Sequence, residues 1–288
     1  MTAALLTVDD LWVRFQTPHR IVEAVRGVGF TVGREKVGIV GESGSGKSMT
    51  GRAILKLTPG NAMVSARRID FDGADLVAAS ERDMLEIRGR RIAMIMQDPK
   101  FSLDPVMRVG DQIAEALPAR LKLSRRETRQ RVLSMLEAVR IRNPKRVYDL
   151  YPHEVSGGMG QRVMIAMMLM AEPALLIADE PTSALDVTVR LQVLAILDDL
   201  VARRGLGLMF ISHDLNLVAS FCDRVLIMYA GRIVESCKAS ELYQATHPYT
   251  RGLLESLPRL SQRRRRLAVL QRDPAWLTEP ITGTSGRP

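Results

Sequence analysis

From Leu6 to about Phe30 apolar and polar residues alternate, with Val8, Leu11, Val13 and Phe15, and then Val22, Ala24, Val25 and Val28, on the apolar side. A period of two puts such side chains on one face of a strand, and the Thr17-Pro18-His19-Arg20 break between the two halves predicts a hairpin. Val37-Gly38-Ile39-Val40 is different: a short continuous apolar run, the pattern of a strand buried on both faces. Further runs of this kind are Ile92 to Met96, Leu175 to Ala178, Leu208 to Ser212 and Val225 to Met228, with helical patterns between several of them. Strands alternating with helices predict a parallel sheet covered on both sides. The last run is followed by Ala230-Gly231 and then Arg232 to Glu235, so it predicts an antiparallel hairpin at the sheet edge.

Between about Phe101 and Pro152 the strand signal disappears, and the spacing of Val132, Leu133, Leu136 and Val139 predicts helix. This stretch reads as an all-helical insertion. After about Ala239 the chain becomes helix, loop and a basic tail. The expected organisation is residues 1–100 as an N-terminal β subdomain with the first part of a core, 101–155 as the helical insertion, 156–244 as the remainder of the core, and 245–288 as a C-terminal extension. A length of 288 residues suits one main domain with subdomains.

Composition adds a few exclusions. With 46% apolar and 25% charged residues the chain has an ordinary folded composition. A net charge of +9 raises two partner classes, nucleic acid and an anionic membrane surface. Part of the excess is Arg263-Arg264-Arg265-Arg266, and the rest is scattered, as in Arg125-Arg126-Glu127-Thr128-Arg129-Gln130-Arg131. No aromatic residues interleave these arginines to stack on bases, so a solvated face and a basic tail is the plainer reading. Cys222 and Cys237 form no CxxC and have no nearby histidine pair, which argues against a disulfide framework or a zinc site and fits a reducing cytoplasm. Met1 to Val13 lacks the order of a signal peptide. Val163 to Ala171, the longest apolar run, falls far short of the roughly 20 residues that span a bilayer.

The chemistry begins after the run at Val37. Gly41-Glu42-Ser43-Gly44-Ser45-Gly46-Lys47-Ser48 has the spacing of a phosphate-binding loop between a strand and a helix predicted to run to about Leu57, with Met49 the next residue in that helix. Glycines let backbone N–H groups turn toward phosphates, Lys47 reaches the outer ones, and the Ser48 hydroxyl can ligate magnesium. Leu175-Leu176-Ile177-Ala178-Asp179-Glu180 is an apolar strand ending in two acids. Asp179 is placed to hold magnesium, and Glu180 to act on an attacking water. Gln97 and His213 follow two other buried runs, and in an open α/β sheet ligands gather at such strand ends. Ser156-Gly157-Gly158 precedes an apolar helix from Met159 to Met170; it is an ordinary cap or a second anion site, and the fragment alone favours the cap.

The ordered set of phosphate loop, Gln97, Val155-Ser156-Gly157-Gly158-Met159, Leu175 to Pro181, Ser183-Ala184-Leu185-Asp186 and His213 resembles the ATP-binding subunits of ABC transporters, over roughly Leu5 to Leu257. The resemblance implies an α/β fold, a P-loop NTPase (RecA-like) parallel sheet core with an antiparallel β subdomain and an all-helical insertion. It implies ATP and Mg2+ as cofactors, with Ser48, Gln97 and Asp179 at the metal, and Glu180, His213 and Gln97 as catalytic residues. Ser156, Gly157, Gly158 and Asp186 join the phosphate loop in contacting nucleotide. Phe15 falls where the family stacks adenine, or else is a core residue.

Gln97-Asp98-Pro99, Ser102-Leu103-Asp104-Pro105 and His247-Pro248-Tyr249-Thr250 are similar to the oligopeptide, dipeptide and nickel importer branch. Many of its peptide members carry cysteines after the last element. None follows Cys237, which favours the shorter members, including nickel and metallophore importers. Gly160 stands where that branch commonly has Arg, and a glycine there predicts a weaker helix. The expected partners are a second, non-identical ATPase, two integral membrane permease subunits and, indirectly, an extracytoplasmic solute-binding protein, with no nucleic acid. The expected place is the cytoplasmic face of the inner membrane, as a peripheral subunit. The alternative is a soluble ATPase of the same type acting on nucleic acid or ribosomes, but neither the long coiled coil nor the second core usual in such proteins is visible.

Overall fold

The computed structural model describes residues 4–96, 102–183, 185–257 and 273–277. Gln97 to Pro99, Ala184 and Arg263 to Arg266 lie outside them. The chain packs as two compact units, one from Met1–Ala79 with Met209–Pro288, the other from Ser80–Leu208.

The first unit opens with the expected hairpin, β1 (Leu6–Gln16) and β2 (Ile21–Val32). Thr17 closes it, exchanging backbone and side-chain hydrogen bonds with Arg20. The apolar alternation skips a residue between Val8 and Leu11, and the structure explains it: the register shifts there, and Asp10 adopts a positive φ of 54°. The extra residue is a β-bulge that restores Leu11 and Val13 to the buried face. Three short strands complete this antiparallel sheet, β4 (Ala62–Ser65), β5 (Arg68–Phe71) and β6 (Ala74–Asp75), in the order β2-β1-β5-β6 with β4 on β1.

β3 (Lys36–Val40) lies in a second sheet, beside β10 (Arg224–Tyr229), with which it pairs in parallel, and β9 (Gly207–Ser212). Val37, Ile39 and Val40 are fully buried, as the continuous apolar run requires. β11 (Arg232–Lys238) pairs antiparallel with β10 around Ala230 and Gly231, both at positive φ, so the predicted edge hairpin forms with a type I′-like turn. The helix after β3, α1 (Lys47–Ile54), stops short of Leu57. Lys56 takes a left-handed φ of 52°, Leu57 N donates to Arg52 O at 2.8 Å, and Lys56 N donates to Ala53 O at 3.1 Å. That is a Schellman stop built on lysine, a residue that gives no glycine signal in the sequence.

The second unit holds α2 (Glu81–Ile87), β7 (Ile92–Ile95) and β8 (Leu175–Asp179). The two strands pair in parallel with Ile92 opposite Leu175. Gly207, which opens β9, donates to Ala174 O at 2.9 Å. The strand-free stretch folds into α3 (Val109–Glu115), α4 (Arg125–Ala138) and α5 (Pro144–Asp149). α4 starts from a Ser124–Glu127 capping box, whose hydrogen bonds hold the Glu127 carboxyl below its usual range. Val132 and Leu136 are fully buried in the unit's core. Burial of such a side chain contributes about 1.5–3 kcal/mol, against about 0–1 for a half-exposed ion pair such as Arg140 with Asp199, so packing holds this unit together. α6 (Gly157–Leu169) and α7 (Val187–Arg204) complete it.

Candidate functional site

The first unit presents the phosphate loop at the C-terminal end of β3. Ser45 and Lys47 are buried, and Ser43 and Gly44 face solvent. Gly46 is the N-cap of α1 at φ 102°, and a Cβ there would lie 2.4 Å from Ala24 O, so no other residue fits without displacing β2. A Cβ on Gly41 would sit 2.1 Å from Met228 O on β10. The loop is thus moulded against two strands. Lys47 Nζ donates to Gly41 O at 2.9 Å and Glu42 O at 2.8 Å, and lies 3.4 Å from Ser45 Oγ, which ties the loop's two ends together. Thr50 Oγ1 donates to Gly46 O at 3.0 Å.

Two contacts brace the loop from behind, and neither was read from the sequence. Gly231 N, in the β10–β11 turn, donates to Ser45 O at 3.0 Å, and Gly231 O accepts from Arg26 N at 2.7 Å. Glu42 N donates to Tyr249 Oη at 3.3 Å. The His247-Pro248-Tyr249-Thr250 element was the available signal. His213 directly follows β9 in the same unit and is exposed. Phe15 is half-buried on β1, with Val22 of β2 and Ala62 of β4 as its register partners, so it keeps an accessible surface and is not one of the fully buried core residues. Ser48 and Met49 occupy the second and third positions of α1, both half-buried.

The second unit carries the acids and the second glycine-rich element. Asp179, 2% exposed, is the last residue of β8, and the half-buried Glu180 follows it at a positive φ of 46°. Ser183 closes that turn, its N and Oγ both donating to Glu180 O, at 3.2 and 3.1 Å. A non-glycine residue held in this region stores roughly 1–3 kcal/mol, and such strain is concentrated at functional positions. Asp186 caps α7, accepting from Val189 N at 3.0 Å.

Ser156 caps α6, accepting from Met159 N at 3.4 Å, and it is exposed. Around Gly157 a Cβ would meet nothing within 4 Å, whereas at Gly158 it would lie 2.6 Å from Val189 Cγ1, so Gly158 is what lets α6 and α7 approach. Arg162 fastens the helix start: its Nε donates to Gly158 O at 3.1 Å and its Nη1 to Arg140 O at 3.0 Å. Burial pushes that guanidinium below its usual range, with nearby Arg142 adding to the effect. Gly160 is buried and keeps its helical bond to Ser156 O, and a Cβ there would meet only Val155 Cγ2, at 3.9 Å. Gln97, assigned to catalysis and metal, lies outside the described residues.

Comparison with known proteins identifies the family. Residues 25–183 match the family described as ABC transporter. The chain is 50% identical over 285 residues to a probable peptide ABC transporter ATP-binding protein, y4tR, of Sinorhizobium fredii, covering 98% of this chain and 85% of that protein. It is 48% identical over 283 residues to the oligopeptide transport ATP-binding protein OppD of Bacillus subtilis, covering 97% and 79%. With the dipeptide transport ATP-binding protein DppD of the same organism the figures are 45% over 282 residues, 97% and 84%. Among solved structures, the dimeric post-hydrolysis state of the cassette MJ0796, bound to ADP and Pi, superposes with a TM-score of 0.72 at 25% identity, covering 81% of this chain and 98% of that one.

The chain therefore belongs to the ABC transporter family, as an ATP-binding subunit with the cassette fold and an ABC-type ATPase activity. No helix among the described residues is long and apolar enough to cross a membrane.

Proposed function

We propose that this chain powers a peptide importer from the cytoplasmic face of the cell membrane, paired with a second, non-identical ATPase beneath two integral membrane permease subunits. The observation that carries the reading is near full-length identity of 45–50% to proteins named for peptide, oligopeptide and dipeptide transport. Nickel or metallophore uptake is the competing cargo.

In this reading the loop N–H groups and Lys47 take the phosphates, and Phe15 offers a face to adenine. Ser48 and Asp179 supply hard oxygen donors of the kind magnesium accepts when phosphates complete its shell. Bound there, the ion would neutralise charge on the transferring phosphate. Glu180 takes the proton of the attacking water, while His213 and Gln97 orient the γ-phosphate end. Ser156, exposed beside the open Gly157, together with Gly158 and Asp186, is lent to the nucleotide on the partner ATPase. The helical insertion passes the resulting closure to the permeases.

The test is the assembled complex with its solute-binding protein. Loaded peptide should stimulate ATPase activity; stimulation by a nickel chelate alone would transfer the reading to the metal branch. Glu180→Gln should retain ATP binding and lose about 100-fold or more in turnover, as general-base removal does. Unchanged hydrolysis would refute the role of Glu180. Nucleic acid that co-purifies and releases steeply with salt would favour the soluble alternative.

A further inference from the structure

The phosphate loop is braced by a residue that the chemistry of hydrolysis does not require. Tyr249 is fully buried near the start of α8 (Pro248–Ser256), and its one polar side-chain atom reaches the backbone N–H of Glu42. Its ring lies 4.5 Å from Tyr229 of β10 and 5.9 Å from Trp276 of the C-terminal 3-10 turn Pro274–Leu277. Trp276, itself 6% exposed, also meets Tyr229 at 5.8 Å and His247 at 6.1 Å. The backbone beneath the tyrosine is fixed as well. His247 Nδ1 accepts from Tyr249 N at 3.1 Å, and Glu235 Oε1 accepts from Thr246 N at 2.8 Å and His247 N at 3.3 Å.

Packing alone would be served as well by phenylalanine, which buries the same ring and leaves no hydroxyl to satisfy. The hydroxyl is what needs a reason, and Glu42 N supplies one. That amide belongs to the peptide at which β3 hands over to the loop, so its orientation sets the direction of the N–H groups that follow. A hydrogen bond whose acceptor sits on a fully buried side chain holds the peptide more firmly than one open to water.

We infer that Tyr249 is a positioning residue for the phosphate loop and that Trp276 wedges it in place, so that nucleotide affinity depends on the C-terminal extension. The inference rests on the loop being the ATP site, which Lys47→Ala tests separately.

The experiment titrates ADP into the full chain and follows ATP hydrolysis by the assembled complex over a range of ATP concentrations. Tyr249→Phe keeps the ring and removes the hydrogen bond to Glu42 N; it should raise Kd for ADP about fivefold and raise KM for ATP alike, with kcat within about twofold of the parent. Trp276→Ala should raise Kd about threefold, and Trp276→Phe, which keeps an aromatic wedge, should restore it. Trp12→Phe leaves Trp276 as the sole tryptophan, whose emission should change on adding ADP and change less in the Tyr249→Phe background. Lys47→Ala should lose ADP binding outright. Parental Kd in Tyr249→Phe overturns the positioning role, and equal Kd for the two Trp276 variants overturns the wedge. Parental binding by Lys47→Ala sinks the site reading and this inference with it.

Discussion

The chain has two glycine-rich turns at the start of helices, and they are built for opposite purposes. At the phosphate loop the protein itself demands the glycines: side chains on Gly41 or Gly46 would strike Met228 O or Ala24 O, and the β10–β11 turn and Tyr249 tie the loop from behind. At Ser156-Gly157-Gly158 only Gly158 is demanded by a neighbour, Val189, while Gly157 faces open space and Ser156 is exposed. Both elements end in a helix N-terminus, whose dipole favours an anion. In the proposed function Gly157 serves the nucleotide of the partner ATPase, and its own helix makes no demand for glycine there.

That difference predicts different kinds of damage. Gly46→Ala combines a left-handed φ with a 2.4 Å approach to Ala24 O and should destabilise by about 2–4 kcal/mol and abolish nucleotide binding, as read by denaturant melts and ADP titration. Gly157→Ala should stay within about 0.5 kcal/mol of the parent and yet lower turnover of the assembled complex. Equal destabilisation at the two positions would break the comparison.

Ser156→Arg should come next, costing about 1 kcal/mol through the lost cap while preventing ATP-driven pairing in a Glu180→Gln background, measured by size-exclusion chromatography. Normal pairing would mean the exposed serine serves its own helix only. Gly160→Ala, with room for a methyl, should stabilise by about 0.5–1 kcal/mol, a rise visible in Tm without change in turnover.

The smallest effect concerns the thiols, both in the first unit. Burial pushes Cys222 up to about 12 and Cys237 up to about 11, so at pH 7.5 less than about one thiol in a thousand is ionised. Iodoacetamide should leave both unlabelled in the native chain and modify both in denaturant, and labelling should quicken as pH climbs toward those values. ATP should slow any residual native labelling.

Much of the fold was legible because buried strands advertise themselves: Val37 to Val40, Leu175 to Ala178 and Leu208 to Ser212 are apolar runs with little other use. β4 to β6 gave no such signal, since β4 is mostly exposed and alternates nothing. The bulge at Asp10 and the lysine stop after α1 depend on backbone angles that residue type does not report. At the site, the spacing of the phosphate loop carried its own chemistry. The bond between Glu42 and Tyr249 spans 207 residues, and no local pattern encodes a partner at that distance. The strained φ of Glu180 was equally silent, because glutamate shows no preference that would betray it.

The order of synthesis gives the turn at Gly231 a further meaning. A chain still on the ribosome that has exposed its first 200 residues already carries the whole phosphate loop, yet lacks the strand at Met228, the turn at Gly231 and Tyr249. Glycines make such a loop pliable until those parts arrive. On the inference that Tyr249 positions the loop, the earliest chemical signature in the sequence is the last to be finished, and nucleotide binding reports that the C-terminal part has been made and folded.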